Sequence, residues 1–388
     1  MVPGMTNRVA AASVPLTACE FFAGGGLAGL GLGRAGFRTV LANDIDAMKA
    51  AAFRANHADV SLAHGDVWDL TPAQVPGTPD LCWASSPCQD VSLAGARGGL
   101  KAVRSGAFWG FWKLMQGLDA EGRAPRVVVI ENVVGLLTSD EGRDFAAVCA
   151  AMVEAGYRVG ALEMDAALWL PQSRPRLFIV AMRGAEGPAV LEPTGPFHTP
   201  RLIAAHARLP EMVKAGWSWW SVAAPARRNL DLSALLEPGL PVFETDQTEA
   251  LLALLSPLHR ARLETILASG ERRIGAAFRR VRTVRGRKVQ RLELRFDGLA
   301  GCLRTPSGGS SRQYVLICED GRVAMRRLSG REAARLMGVA DDYRLPSSES
   351  AALKLMGDAV ATPVVEALAL GLFQPALAAA DPEGAAAA

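Results

Sequence analysis

Residues 127–131 read Val-Val-Val-Ile-Glu, four β-branched side chains with no polar relief and then a carboxylate. A strand that is apolar on both faces must be covered on both, as happens where a parallel sheet lies between two layers of helices. Further short apolar runs occur at 16–22, 39–43, 81–84, 157–164 and 177–182, with helical patterns between them at 47–56, 106–118 and 143–154. Strands alternating with helices predict an α/β domain with a largely parallel sheet over 16–183. Ligands of such sheets sit over the carboxyl ends of the strands, so the residues just after each run are the first candidates for function.

Composition removes several alternatives. With 388 residues, half of them apolar, the chain has the length for two or three domains and too much apolar content for disorder. No apolar run is expected to reach the roughly 18–20 residues of a bilayer span. Residues 9–18 are mildly apolar, and Leu16-Thr17-Ala18-Cys19 mimics a lipoprotein cleavage site. Only Arg8 precedes that stretch, Pro15 interrupts it, and cleavage would remove most of the first core strand, so no signal peptide is expected. Six scattered cysteines without a Cys-x-x-Cys pair, and five histidines without ligand spacing, argue against a disulfide framework and a metal site. Reduced thiols and a cytoplasmic location are expected instead.

After Arg183 the texture changes. Residues 187–200 hold Pro, Gly and His and read as a linker, followed by Trp217, Trp219 and Trp220. Between 260 and 295 lie 12 Lys or Arg against three acids, a local charge of +9 in a chain whose total is +3. A solvated face is the ordinary reading of a charge run, but this contrast favours phosphate binding. Helical patterns return at 328–337 and 353–373, and an alanine-rich tail expected to fray covers 375–388.

The first strand runs into Gly24-Gly25-Gly26-Leu27-Ala28-Gly29. Glycines there let backbone N–H groups and a helix start approach a ligand. Asp44, 20 residues after Gly24, closes the second run, where a carboxylate can accept ribose hydroxyls. These two features also suit a nicotinamide or flavin dinucleotide, and a tight turn alone would explain the glycines. Asp66, in Gly65-Asp66-Val67, is placed to accept from an adenine amino group while Val67 covers the ring; a surface-loop aspartate is the plain alternative.

Ser86-Pro87-Cys88-Gln89 comes after the run at 81–84 and opens a Gly- and Ser-rich loop, so Cys88 is a candidate reactive thiol, whereas Cys82 and Cys149 read as core residues. Glu131 comes after four buried aliphatics, where desolvation raises a carboxyl pKa and keeps a proton available. In Gln172-Ser173-Arg174-Pro175-Arg176 the two arginines share a side if the segment is extended, suited to holding a carbonyl oxygen and a phosphate or to stacking on the surface.

Taken in order, Phe22-Ala23-Gly24-Gly25-Gly26, Asn43-Asp44, Gly65-Asp66, Pro87-Cys88-Gln89, Glu131-Asn132-Val133 and Gln172 to Arg176 resemble the motifs of the DNA (cytosine-5)-methyltransferase family. Residues 327–336 and Gly357-Asp358-Ala359-Val360 resemble its carboxyl-terminal pair. The resemblance implies a Rossmann-like, mostly parallel methyltransferase domain over 16–183, completed by a C-terminal helix within 325–374, with a smaller target-recognition domain inserted at 184–324; 1–15 and 375–388 are then tails.

It also implies roles. Cys88 adds to carbon 6 of a flipped cytosine, Glu131 protonates or hydrogen-bonds N3, Arg176 contacts O2, and Arg174 helps hold the base and catalytic loop. S-adenosylmethionine is the implied cofactor, held by Phe22, Gly24, Gly26, Asp44, Ile45, Asp66, Val67, Pro87, Asp358 and Ala359. The implied partner is double-stranded DNA, bound by a monomer with no metal and no membrane, and a cognate restriction endonuclease is a candidate partner. A transfer RNA cytosine methyltransferase shares the motifs and stays open, as does the dinucleotide oxidoreductase on the glycine loop and Asp44 alone. Arg304, Arg312 and Gln313, around 307–311, are candidate base readers or phosphate contacts. Two departures stand out: Leu27 where the family usually has glycine, and Asp358 where it usually has asparagine.

Overall fold

A computed structural model describes residues 15–87, 106–226, 228, 230–284, 286–304 and 312–379. Cys88 and residues 307–311 lie outside the described residues. The first half runs β1 (Thr17–Phe21), α1 (Leu27–Arg34), β2 (Arg38–Asp44), α2 (Ala47–Asn56), β3 (Ser61–His64) and β4 (Leu81–Ser85). It continues with α3 (Ala107–Ala120), β5 (Val127–Val133), α4 (Arg143–Glu154), β6 (Arg158–Asp165) and β7 (Pro175–Met182). These seven strands form one sheet in the order β3-β2-β1-β4-β5-β7-β6. β1 to β5 pair in parallel, and β7 runs antiparallel between β5 and β6.

β5 shows why the apolar run is what it is. Val127 and Val129 enter one core with Leu27, Trp83 and Phe178, while Val128 and Ile130 enter a second with Phe111, Phe145 and Ile179. Both faces are sealed, and all four side chains are fully buried. Cys82 and Cys149 are buried core thiols, as expected. β3 escaped the sequence reading because four residues, Ser-Leu-Ala-His, at a half-exposed edge offer little hydrophobic pattern.

Beyond β7 the chain forms β8 (Ala189–Val190), α5 (Pro200–Ala207), α6 (Glu211–Ala215) and β9 (Trp219–Trp220). The 187–200 stretch is not a free linker, and the tryptophan segment beyond it packs on the large sheet. Trp217 bridges to Val159, and Trp220 Nε1 donates to the Val180 carbonyl at 2.9 Å. Phe197, His198, Trp217, Trp219 and Trp220 are buried. α7 (Thr245–Leu252) and α8 (Pro257–Ala268) then lead into β10 (Arg273–Val284), β11 (Arg287–Arg295), β12 (Gln313–Glu319) and β13 (Arg322–Arg327). These form a separate antiparallel sheet, β11-β10-β12-β13, in which β13 runs across the boundary expected at 324/325. Its strands face two ways: Tyr314 and Leu316 pack with Leu263 and Leu292 in the small core, whereas Ala276 and Val315 belong to the core of the large sheet.

The chain ends in α9 (Gly330–Arg335), α10 (Glu349–Asp358), α11 (Thr362–Leu368) and α12 (Gln374–Ala379). The single helix expected over 353–373 is broken: Ala359 is extended (φ −77°, ψ 168°), and Pro363 sits in the first turn of α11, where its missing N–H costs nothing. One stretch, Glu349–Ala379, has the length of a bilayer span, and its most apolar 18 residues have a mean hydropathy of 1.5, although Glu349, Lys354, Asp358 and Glu366 interrupt its apolar runs. It is interrupted and mostly buried, lying against the large sheet as core. The expected tail likewise starts later, because α12 buries Ala376 and Leu377.

α11 returns onto α1, so helices from the two ends of the chain complete one face together. A Cβ on Gly31 would stand 2.6 Å from Val365 Cβ and 2.7 Å from the Thr362 carbonyl oxygen. Gly31→Ala should therefore destabilise the fold by about 1–3 kcal/mol through overpacking, measured as a lower urea midpoint at unchanged m-value. An unaffected midpoint would mean that α1 and α11 can separate at no cost.

Candidate active site

Sheet order reverses between β1 and β4, and the crevice at this switch point opens at the carboxyl ends of β1, β2, β4 and β5. Because β7 is antiparallel, its amino end reaches the same edge, with Arg176 in register with Val133. A cavity of about 1000 Å³ lies there, walled on its far side by Phe278, Arg280, Arg295 and Cys302 from the smaller sheet region.

The turn after β1 is tight. Phe22 takes a left-handed φ of 56°, followed by Gly24 at 57° and Gly26 at 81°. The three glycines divide their work in a way the sequence did not reveal. A Cβ on Gly24 would meet nothing within 4 Å, which leaves the cavity side open. A Cβ on Gly25 would stand 2.4 Å from Tyr343 Oη, and one on Gly26 2.3 Å from His57 Nε2, so these two make room for neighbouring side chains. Phe22 and Gly24 line the cavity; Gly26 does not. Leu27 fits the glycine-substituted position by burying into the core while touching the cavity floor.

Asp44 is buried and already engaged: Oδ2 accepts from Gly24 N and Oδ1 from Asp46 N, both at 2.8 Å. Ile45, by contrast, is 65% exposed at the cavity wall. Asp66 and Val67 do not line the cavity. Asp66 is exposed and caps a short turn by accepting from Trp68 N at 3.0 Å, and Val67 is buried near Gly110.

On the other side of the switch point, Asn132 Nδ2 donates to the Ser86 carbonyl at 3.1 Å, which fixes the start of the segment leading to Cys88. Pro87 lines the cavity. Glu131 is buried with Arg176 Nε 3.1 Å from its Oε1. Burial pushes the Glu131 carboxyl above its ordinary range, and Arg176, Arg174 and the Ser85 hydroxyl only partly pull it back.

The two arginines share a side, as expected: Arg174 Nη1 and Arg176 Nη1 lie 3.6 and 4.0 Å from Cys302 Sγ. Their surroundings differ. Arg176 lines the cavity, whereas Arg174 is 2% exposed and donates to the carbonyls of Leu303 and Gly357, each at 2.9 Å, and of Ala359. Burial, with Arg176 beside it, brings the Arg174 guanidinium down to about 10. Asp358 and Ala359 line the cavity from the end of α10, and Asp358 pairs with Lys49 at 2.8 Å. Arg304 and Gln313 line an adjoining basic pocket of about 310 Å³ with Arg280 and Arg282; Arg312 lines a smaller recess beside it.

Of the cavity residues that the sequence reading passed over, two are Glu20 and Cys302. Cys302 carries no sequence signal beyond being a cysteine. Glu20 did carry one, as the sole charge inside an apolar strand. It is buried, accepts from Ala28 N at 3.1 Å and Gly29 N at 2.9 Å, and so caps the start of α1. Those N–H groups favour its charged form, but burial and nearby Asp44 outweigh them, and its pKa rises to about 8.

A family model for C-5 cytosine-specific DNA methylases matches residues 16–374. The chain is similar to the Type II methyltransferase M.Eco47II of Escherichia coli, 34% identical over 171 residues, 43% of this chain and 39% of that protein. It is 31% identical over 166 residues to the Type II methyltransferase M.PspPI of Psychrobacter sp. (strain TA137), 42% of this chain and again 39% of the relative. The matched region thus spans about two-fifths of each relative's length. Among solved structures, the S. pombe Dnmt2 methyltransferase superposes with a TM-score of 0.55 at 16% identity, covering 91% of this chain and 96% of that one. The Entamoeba histolytica methyltransferase EhMeth gives 0.59 at 11% identity, over 96% and 99%. At such identities the likeness establishes the fold.

The raised pKa of Glu20 has a measurable consequence. From its ordinary value of 4.5 up to about 8, the folded chain keeps a proton that the unfolded chain has released. Stability from this group is therefore full at low pH and is lost as pH rises through that window. Glu20→Gln, an isostere of the protonated acid, should flatten the fall of the thermal midpoint across the window relative to the parent chain. Parallel profiles would mean that Glu20 is already charged in the fold.

Proposed function

The chain belongs to the C-5 cytosine-specific DNA methylase family, and on that premise we propose that it methylates carbon 5 of cytosine in duplex DNA. The observation that carries this reading is the buried Glu131–Arg176 pair, 3.1 Å apart, beside Pro87 at the rim of one large cavity.

Carbon 5 of cytosine is a weak nucleophile, and the ring must be made electron-rich before it can attack. Cys88, the residue after Pro87, is the nucleophile for carbon 6. Glu131, which holds its proton above the ordinary carboxyl range, donates to N3 and stabilises the enamine that results. Arg176 reaches O2 while keeping Glu131 in place. Arg174 acts one step back, as a positioning residue that fixes the backbone on which Arg176, Leu303 and Ala359 stand. Once carbon 5 carries the methyl group, its proton passes to a base such as water, the C6–S bond breaks to release Cys88 thiolate, and N3 returns its proton to Glu131, which restores the aromatic ring.

The cavity suits S-adenosylmethionine: an open glycine at Gly24, exposed Ile45 and half-buried Phe22 for a planar ring, and carboxylates for a ligand carrying a positive sulfonium. When bound, that cofactor supplies an electrophilic methyl group. Phe22, Gly24, Asp44, Ile45, Pro87, Asp358 and Ala359 are the residues that would hold it. Asp44, with both oxygens engaged by backbone, retains lone pairs for ribose hydroxyls.

A cytosine inside a duplex is out of reach and must be flipped out, at a cost of a few kcal/mol that phosphate contacts can offset. The β10–β11 hairpin presents Arg280 and Arg295 to the cavity and Arg282 to the pocket beside it, which supports double-stranded DNA as the partner and the smaller sheet as the target-recognition unit. A cytoplasmic monomer, with or without a cognate restriction endonuclease, completes the reading.

Transfer of labelled methyl from S-adenosylmethionine to mixed-sequence DNA should place label on cytosine carbon 5. Cys88→Ser should abolish it while leaving cofactor binding intact. Glu131→Ala should lower turnover by about 10²–10⁴-fold. Activity that needs protonated Glu131 falls as pH rises through its raised pKa, and Glu131→Gln should lose that alkaline limb. Label on RNA alone, or none with cofactor bound, would refute the DNA assignment. Separately, Arg280→Ala should weaken duplex binding and reduce the slope of log affinity against log salt by about 1. An unchanged slope would remove the hairpin from the interface.

A further inference from the structure

The carbonyl oxygen of Gly25 belongs to no helix or strand ladder. The first bond of α1 runs from Leu30 N to the Gly26 carbonyl, and Gly29 N, the next donor back, goes to the Glu20 carboxylate. Gly25 is held by two side chains instead. The Tyr343 hydroxyl donates to its oxygen at 2.8 Å, and His57 Nε2 lies 3.1 Å from the same atom. A carbonyl only accepts, so the imidazole carries its proton on Nε2, and both lone pairs of the oxygen are filled. The two donors lie 318 and 32 residues away along the chain.

The donors are themselves anchored. Tyr343 is buried, and the backbone on either side of its ring is fixed. Arg331 Nη2 donates to the Tyr343 carbonyl at 2.8 Å. Asn56, at the end of α2, closes a reciprocal pair with Arg344, donating to its carbonyl at 2.9 Å and accepting from its N–H at 2.7 Å. His57 follows directly, its ring 4.6 Å from that of Phe53. Neither donor lines the cavity, and nor does Gly25. The clamp therefore acts from behind a loop whose Phe22 and Gly24 face the cavity. That loop needs holding, because Phe22 is a non-glycine residue at a φ of 56°, a costly conformation that persists only where its surroundings over-determine it.

Resting on the function proposed above, we propose that Tyr343 and His57 are positioning residues for the cofactor: by holding the Gly25 carbonyl they keep the turn from Phe22 to Gly26 in its binding shape before the ligand arrives. A loop already ordered loses no further freedom on binding, so the ligand is held more tightly. The clearance at Gly25 and Gly26 has the same purpose, since a Cβ on either would displace one of the two donors. The clamp also joins the two ends of the chain. Tyr343 reaches the loop from the segment after α9, so the shape of the first turn depends on the carboxyl-terminal part being docked. Nothing in the sequence marks either residue, because each acts on a carbonyl far from it in the chain.

Tyr343→Phe tests this, since it keeps the ring and both backbone anchors and removes only the hydroxyl. Calorimetric titration of the full chain with S-adenosylmethionine should show affinity lowered by about fivefold, the loss of one hydrogen bond. In methyl transfer to mixed-sequence DNA, KM for S-adenosylmethionine should rise in step while kcat stays level. His57→Phe, which keeps a ring against Phe53 but has no donor, should behave likewise. His57→Gln, whose side-chain N–H reaches as far as Nε2, should restore most of the affinity. A clamp with a structural role only would lower the urea midpoint and leave the affinity of the folded chain unchanged. That result would overturn the proposal, as would a fall in kcat at constant KM or equal weakening in His57→Gln and His57→Phe. Failure of the unaltered chain to bind S-adenosylmethionine at all would instead overturn the functional reading, and this one with it.

Discussion

A guanidinium held by three carbonyl oxygens and a thiol joins the parts of this protein. Arg174 is buried, and among the described residues no carboxylate makes a salt bridge to it and its Nε has no hydrogen-bond partner; its other donors go to the carbonyls of Leu303, Gly357 and Ala359 and to Cys302 Sγ. Those carbonyls come from the segment after the smaller sheet's first hairpin and from the break between α10 and α11. A buried cation that loses such acceptors is strongly destabilised, so two distant stretches of chain are fixed relative to the amino end of β7. Arg176, two residues on, inherits that precision, and with it the placement of Glu131. Gln172 adds to the same knot, donating to the Leu336 carbonyl at 2.7 Å and accepting from Leu303 N at 3.1 Å.

The large sheet was legible because its signal is hydrophobic and local. β5, α2 and α4 lie where the pattern put them, since a both-faces-buried strand and a one-face-buried helix write different periods into sequence. What was not legible depends on distance. Gly25 and Gly26 read as ligand-facing until Tyr343 and His57 are seen to fill the space behind them. The helix expected at 353–373 breaks where Pro363 begins a new one, and the periodic apolar pattern on either side hid the break. Trp217, Trp219 and Trp220 gave no hint that they cover the large sheet, because the surface they bury is made by β6 and β7.

Charge was legible in amount and not in arrangement. The basic stretch was evident, but Glu293 lies between Arg280 and Arg282 and engages both, while Phe278 supports the Arg280 guanidinium at 4.9 Å from its ring centre. The hairpin is therefore an organised surface, with its cations held in fixed orientation. Polar residues inside the first strand proved equally informative, as Glu20 shows. Its reason for being there is the helix start above it, which no window of sequence displays.

β12 has its two faces in two different cores, Val315 with the large sheet and Tyr314 and Leu316 with the small one. Modules that share a strand in this way do not behave as interchangeable cassettes. A chimaera that grafted a foreign segment between β9 and α9 would have to supply three things: a Val315-like inward side chain, the Leu303 carbonyl that Arg174 requires, and a backbone N–H for Gln172. Substitution in this region is thus tolerated along the exposed outer part of β10 and β11 and constrained at their root, where Val315, Leu303 and Gln172 tie the small sheet to the large one.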